Sequence, residues 1–144
     1  MEPAPTAAPH DGRFPVSVKA VLIDARRVVL LRNERSEWEL PGGRLEPGET
    51  PEACVRREIR EELAIDAAIG PILDCWVYEV LPGRRVVIVT YGATAATLDG
   101  IAHSAEHGAL ALVPLDALSG LAIPEGYRAS IARWRRLVDA GRAP

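Results

Sequence analysis

A mixed β-sheet with helices packed on its faces, an α+β sandwich, is the fold class that this sequence predicts. Three observations predict it. Stretches rich in β-branched residues fall into two groups, one before residue 41 and one from residue 72 to 93. A single amphipathic helix separates them, and a second helix follows a last short strand. The order β-β-β-α-β-β-β-α calls for sheet and helices in stacked layers.

The elements follow in order. The first fifteen residues hold four prolines and almost nothing that seeds a core, so residues 1–14 read as a flexible tail before one domain, residues 15–144. Val16–Asp24 alternates and is β-branched, turns at Ala25-Arg26, and returns as Arg27–Arg32, which is a hairpin signal. Trp38–Leu40 reads as a short strand stopped by Pro41-Gly42-Gly43. The clearest helix starts at Thr50, in N-cap position, with Pro51 at the first helical position where its missing N–H is harmless. Val55, Ile59 and Leu63 form its apolar stripe. Ile72–Leu81 and Arg85–Ala93 flank a Pro82-Gly83 turn and read as an antiparallel pair. Ala109–Val113 is a last strand, and Pro124–Ala140 a helix with Ile131, Trp134, Leu137 and Val138 on one face.

Composition narrows the function. A chain of 144 residues, 48% hydrophobic, is sized for one domain with its own core. Two cysteines exclude a disulfide scaffold and a four-cysteine zinc site. No apolar run reaches the ~20 residues of a bilayer span, and the opening MEPAPTAAPH lacks the basic head and apolar block of a secretory leader. The expectation is a cytoplasmic protein without membrane partners. A net charge of −3 gives no support for nucleic-acid binding. Sixteen of the 17 basic residues are Arg, Lys19 being the exception.

Chemistry concentrates in the first helix. Glu58, Glu61 and Glu62 stand at i, i+3 and i+4, so three carboxylates share one patch beside the apolar stripe. Arg56, Arg57 and Arg60 relieve part of the repulsion, and a solvated, salt-bridged surface is the plain reading. A hard divalent cation relieves it better, because Mg²⁺ takes oxygen ligands and is held by one or two carboxylates plus substrate phosphates.

The spacing upstream decides between the two. Gly43, five residues, Glu49, seven residues, then Arg57-Glu58-Ile59-Arg60-Glu61-Glu62 and Ile65 resembles the Nudix box, G-x5-E-x7-R-E-U-x-E-E-x-G-U with U aliphatic. Every defined position of the 23 residues Gly43–Ile65 matches except the last glycine, which is Ala64. That position is a helix C-cap and supplies no ligand. The lead-in Trp38–Gly43 is similar to the stretch that often precedes the box.

The resemblance implies the Nudix fold and hydrolysis of a pyrophosphate bond in a nucleoside diphosphate linked to another moiety, an ADP-ribose or nucleotide-sugar type being favoured. The alternatives are a nucleoside triphosphate pyrophosphatase, a nucleotide-binding module without turnover, and a structural domain with an accidental acidic helix. It implies Mg²⁺, or Mn²⁺, on Glu58 and Glu62 with Glu61 as an additional ligand and the Gly43 backbone nearby. Arg57 and Glu49 become a supporting pair holding Glu58 or Glu62 in place. Glu106 corresponds by rough position to a further glutamate that these enzymes use as ligand or general base, with Glu58 as its competitor. A homodimer is a family-level expectation.

Other residues take plainer readings. His103 and His107 are loop residues. Cys54 and Cys75 are small buried hydrophobes. Trp76 and Trp134 are core, while Trp38 stands evenly between packing and stacking on a base. Arg84-Arg85 decorate a turn, and Tyr127 packs at a helix start, with a substrate-facing role as the alternative.

Overall fold

The computed structural model describes residues 11–101 and 109–141. Among them seven strands form one mixed sheet in the order β3-β2-β1-β6-β5, with β4 paired to β1 and β7 to β2. The strands are β1 (Val16–Asp24), β2 (Arg27–Arg32), β3 (Trp38–Glu39), β4 (Gly42–Arg44), β5 (Ala68–Leu81), β6 (Arg84–Thr94) and β7 (Ala109–Pro114). Helix α1 (Pro51–Leu63) follows β4, and α2 (Glu125–Asp139) follows a 3-10 helix at Leu115–Gly120.

Alternation along the central strands builds two cores, one on each face. Val18, Ala20 and Leu22 of β1, with Val29 and Leu31 of β2, pack with Cys54, Val55, Ile59 and Leu63 of α1. The intervening Val21, Val28 and Leu30 turn the other way and pack with Tyr127, Ile131 and Trp134 of α2. A strand buried on both faces reads as a continuous apolar run, which is why β1 and β2 are so rich in Val and Leu. Among the described residues the only parallel pairing, β1 with β6 from Val16↔Val87 to Leu22↔Ala93, is spanned by the crossover through α1.

Both ends of α1 follow from sequence. Thr50 accepts from the Ala53 N–H at 3.1 Å. Ala64 closes the helix in the left-handed region, φ 59°, donating to the Arg60 carbonyl at 3.0 Å. A Cβ in that region costs ~1 kcal/mol that glycine avoids. Ala64→Gly is therefore expected to raise the melting temperature by about 2–3 °C, read by a thermal melt.

The structure adds to and corrects the sequence reading at five places. Pro41-Gly42-Gly43 does not simply stop a strand: Gly42–Arg44 is β4, antiparallel to β1 at Lys19↔Gly42, Val18↔Gly43 and Ser17↔Arg44. β5 starts at Ala68 and runs through Gly70-Pro71, with register shifts between Ile69 and Asp74. It is an edge strand, where a proline with no N–H does little harm. Residues 115–120 form the 3-10 turn. Cys75 is exposed, not buried, because Trp76, Tyr78 and Val80 are the residues that β5 turns toward the α2 core. Cys54 is buried as expected. Trp38 packs on the α2 core beneath the Arg32 guanidinium, whose carbon lies 5.9 Å from the ring centroid.

Candidate active site

Three consecutive residues of β4 each meet α1, and each contact is of a different kind. The Gly42 N–H donates to Glu62 Oε1 at 2.7 Å. Gly43 faces Glu58 so closely that a Cβ there would lie 2.5 Å from its carboxyl carbon. The Arg44 carbonyl accepts from Arg57 Nη2 at 3.3 Å. The strand runs alongside the helix and steps down it from Glu62 to Glu58 to Arg57.

Arg57 organises the outer half of this contact. Its guanidinium forks onto Glu49, with Nε to Oε2 at 3.1 Å and Nη2 to Oε1 at 2.8 Å. Nη1 reaches Glu58 Oε1 at 3.0 Å and Glu61 Oε2 at 3.3 Å. A planar five-donor fork makes this set of bonds where an ammonium could not. Glu49 also accepts from the Glu46 N–H at 2.8 Å. Arg57 first, and that N–H second, hold the Glu49 carboxyl down to about 2. Glu49, from the sequence before the helix, thus fixes Arg57, and Arg57 contacts Glu58 rather than Glu62. Beneath them the Cys54 thiol donates to the Arg44 carbonyl at 3.5 Å. Burial, with Glu49 beside it, pushes that thiol up to about 12.

Glu62 meets β4 through the Gly42 N–H. It is 3% exposed, among the few buried charged side chains. Burial pushes its carboxyl up to about 7; Lys19 and the Gly42 N–H work against the rise, while Glu58 and Glu39 add to it. Glu61 is the outermost of the three, its side chain 59% exposed.

Among the described residues no three His, Cys, Asp or Glu side chains converge as a ready-made metal cage. Arg57 draws Glu58 and Glu61 together while Glu62 turns to Gly42. The donor set still fits a hard divalent cation: three carboxylates on one helix face offer oxygen only, and Gly43 lacks the side chain that would displace Glu58.

On the α2 side of the sheet a cavity of about 440 Å³ opens next to β4. Lys19, Arg35, Arg44, Arg84 and Arg85 line it against Glu34 and Glu39, with Tyr78 and Tyr127 among its walls. Lys19 and Arg44 belong to both places, since their own bonds tie them to β4 and to Arg57. Tyr127 is core and cavity wall at once, and its ring lies edge-to-face with Trp76 at 5.4 Å between centroids. Arg84 and Arg85, read as turn decoration, are cavity residues. A wider recess of about 730 Å³ lies between Glu52, Arg56, Asp66 and Thr94, away from the carboxylate patch. His103, Glu106 and His107 lie outside the described residues.

The family model of the NUDIX domain matches residues 13–134. The chain belongs to the NUDIX domain family. A MutT NUDIX hydrolase from Burkholderia pseudomallei superposes with a TM-score of 0.73 at 26% identity, covering 84% of this chain and 98% of that one. A CTP pyrophosphohydrolase of Escherichia coli is 31% identical over 101 residues, 66% of this chain and 73% of that protein. An 8-oxo-dGTP diphosphatase of Proteus vulgaris is 41% identical over 51 residues, 35% of this chain and 45% of the relative. The matched stretch thus spans under half of that last relative. No helix among the described residues is long and apolar enough to cross a membrane.

Sequence reasoning missed Lys19, Gly42 and Arg44. One signal for the first was available: a cation inside the apolar run Val16–Asp24, on a strand whose two faces are both covered.

Proposed function

We propose that this NUDIX chain hydrolyses a pyrophosphate bond in a nucleotide, using Mg²⁺ or Mn²⁺ held by Glu58 and Glu62, with Glu61 as a further ligand. The observation that carries the reading is the contact of β4 with α1, in which Gly42 bonds Glu62 and Gly43 faces Glu58, while Lys19 and Arg44 link β4 to a cation-lined cavity. Five cations against two carboxylates suit a polyanionic ligand. A divalent cation in such a site neutralises phosphate oxygens and makes water a competent nucleophile at neutral pH. The chain's own residues do the rest: Arg57 and Glu49 hold Glu58, Gly42 holds Glu62, and the cavity orients the nucleotide.

We propose a nucleoside triphosphate as the substrate class. Relatives at 31% and 41% identity are named for CTP and 8-oxo-dGTP. The ADP-ribose type favoured from sequence is named in a Streptococcus suis structure of 18% identity, a likeness that concerns fold alone. In the reaction a water oxygen forms a new bond to phosphorus, the bridging P–O bond breaks, and a base accepts the proton. Glu106 is proposed for that base, with Glu58 as its rival.

The test is a screen of nucleoside triphosphates, ADP-ribose and nucleotide sugars with Mg²⁺, reading released pyrophosphate or coupled phosphate. We expect turnover of a triphosphate, its loss in chelator, and a higher melting temperature with millimolar Mg²⁺ by mass action. Turnover that survives chelator would sink the metal-dependent reading. In the same assay Glu106→Gln is expected to lower kcat without changing the Mg²⁺ requirement, and an unchanged kcat removes the base assignment.

A further inference from the structure

Lys19 lines the cavity and also bonds to β4, a contact to which the hydrolysis assigns no role. Its chain neighbours Val18 and Ala20 are fully buried against α1. Lys19 turns to the opposite face, 7% exposed, at the floor of the cavity. Met or Leu would fill that volume and suit the strand as well, and burying an ammonium is costly unless partners hold it. The partners here are the Gly42 carbonyl, which accepts from Nζ at 3.3 Å, and Glu39, 3.8 Å away. Glu62, the carboxylate on which Lys19 acts electrostatically, hangs from the N–H of the same Gly42 at 2.7 Å. One glycine thus has the ammonium on its carbonyl and the carboxylate on its N–H.

We infer that Lys19 is a positioning residue of the hydrolytic site: by fixing Gly42 from the cavity side it sets where the Glu62 carboxylate stands relative to Glu58. This rests on the metal-dependent reading above. Gly42 cannot be fixed by a side chain of its own, because a Cβ there would lie 2.0 Å from the Val18 carbonyl oxygen. Its place depends on the β1 pairing and on the bond from Lys19. The arrangement also couples the two halves of the site, since the group that steadies the ligand-bearing strand is part of the wall that a nucleotide would touch.

The experiment compares Lys19→Met and Lys19→Gln with the native chain. Mn²⁺ alone is the first probe, its binding read by the loss of the free-ion EPR signal at pH 8.5; kcat and KM on the screened nucleotide are the second. Groups that orient metal ligands typically matter ~10–100-fold. Lys19→Met is expected to weaken Mn²⁺ binding about tenfold and to lower kcat by a similar factor, with KM moving less than about threefold. Lys19→Gln, which keeps a donor for the Gly42 carbonyl, recovers part of both.

Coulomb's law alone predicts the opposite sign, because deleting a cation beside carboxylates strengthens their hold on a metal. Unchanged or tighter Mn²⁺ binding in Lys19→Met therefore overturns the inference. So does a loss confined to KM, which would make Lys19 a substrate contact. If Lys19→Met does not fold, Lys19→Gln carries the comparison with the same expected direction. If the native chain hydrolyses no nucleotide, the reaction reading fails, and Mn²⁺ binding still decides whether Lys19 positions Glu62.

Discussion

Glu62→Gln is expected to lower kcat about 10²- to 10³-fold and, in the same molecule, to stabilise the metal-free fold above neutral pH. The first effect follows from charge. Gln keeps the acceptor for the Gly42 N–H but takes away the anion that a divalent cation requires, and ~3–4 kcal/mol of lost transition-state stabilisation corresponds to that range of rates. The second follows from proton linkage. The folded chain keeps the Glu62 proton up to about 7, against an ordinary 4.5. Between those values the folded state binds more protons than the unfolded one, so stability falls as pH rises. The contribution is complete below about 4.5 and gone above about 7, a change of roughly 3 kcal/mol at ~1.4 kcal/mol per pH unit.

Gln does not titrate, so the variant should melt within about 2–3 °C of the native chain at pH 5 and clearly higher at pH 8, both without metal. Glu49 does not confuse the comparison. Its carboxyl is held down to about 2, so its stabilisation is lost only as pH falls below the ordinary carboxylate range. Near-native kcat in Glu62→Gln would remove Glu62 from the metal site. Equal melting temperatures at pH 8 would show that its burial carries no charge penalty.

Much of this architecture was legible from residue types. Thr50-Pro51 marked the start of α1, and the apolar period of Val55, Ile59 and Leu63 marked the face it buries. The left-handed end at Ala64 followed from its place after the last turn. Glu58, Glu61 and Glu62 were bound to share a patch, because helical periodicity alone puts them there. What the sequence could not carry was any contact between elements. β4 is three residues with two glycines, too short for a period and composed against strand propensity. It forms because β1 pairs with it and because its two glycines let the backbone lie close against α1. Lys19 was hidden for the same reason: its partners are 20 and 23 residues further on. The carboxylates themselves were identical in type, and only tertiary burial separates Glu62 from the exposed Glu61.

Gly42→Ala and Gly43→Ala are expected to fail in opposite ways, although the residues are adjacent. At Gly42 a Cβ would lie 2.0 Å from the Val18 oxygen and 2.7 Å from the Lys19 Cα, both backbone atoms of the central strand. Its φ of +139° is also closed to side chains. Neither the strand nor the dihedral can give way without breaking the β1–β4 pairing, and strain and overpacking of ~1–3 kcal/mol each add to about 3–5 kcal/mol. For a domain of marginal stability that approaches the whole margin. Gly42→Ala should therefore melt about 10 °C or more below the native chain, or fail to accumulate as a folded species. At Gly43 the obstacle is the Glu58 carboxylate, the free end of a side chain with three rotatable bonds. It can swing out, so Gly43→Ala should stay folded and lose about 1 kcal/mol or less. The displaced carboxylate then leaves its place beside Glu62, and kcat should fall about tenfold or more. Circular dichroism melts and kcat on the same preparations read both arms. Native-like stability in Gly42→Ala would show that β4 is not wedged against β1. Unchanged kcat in Gly43→Ala would show that the position of Glu58 on β4 does not govern the reaction.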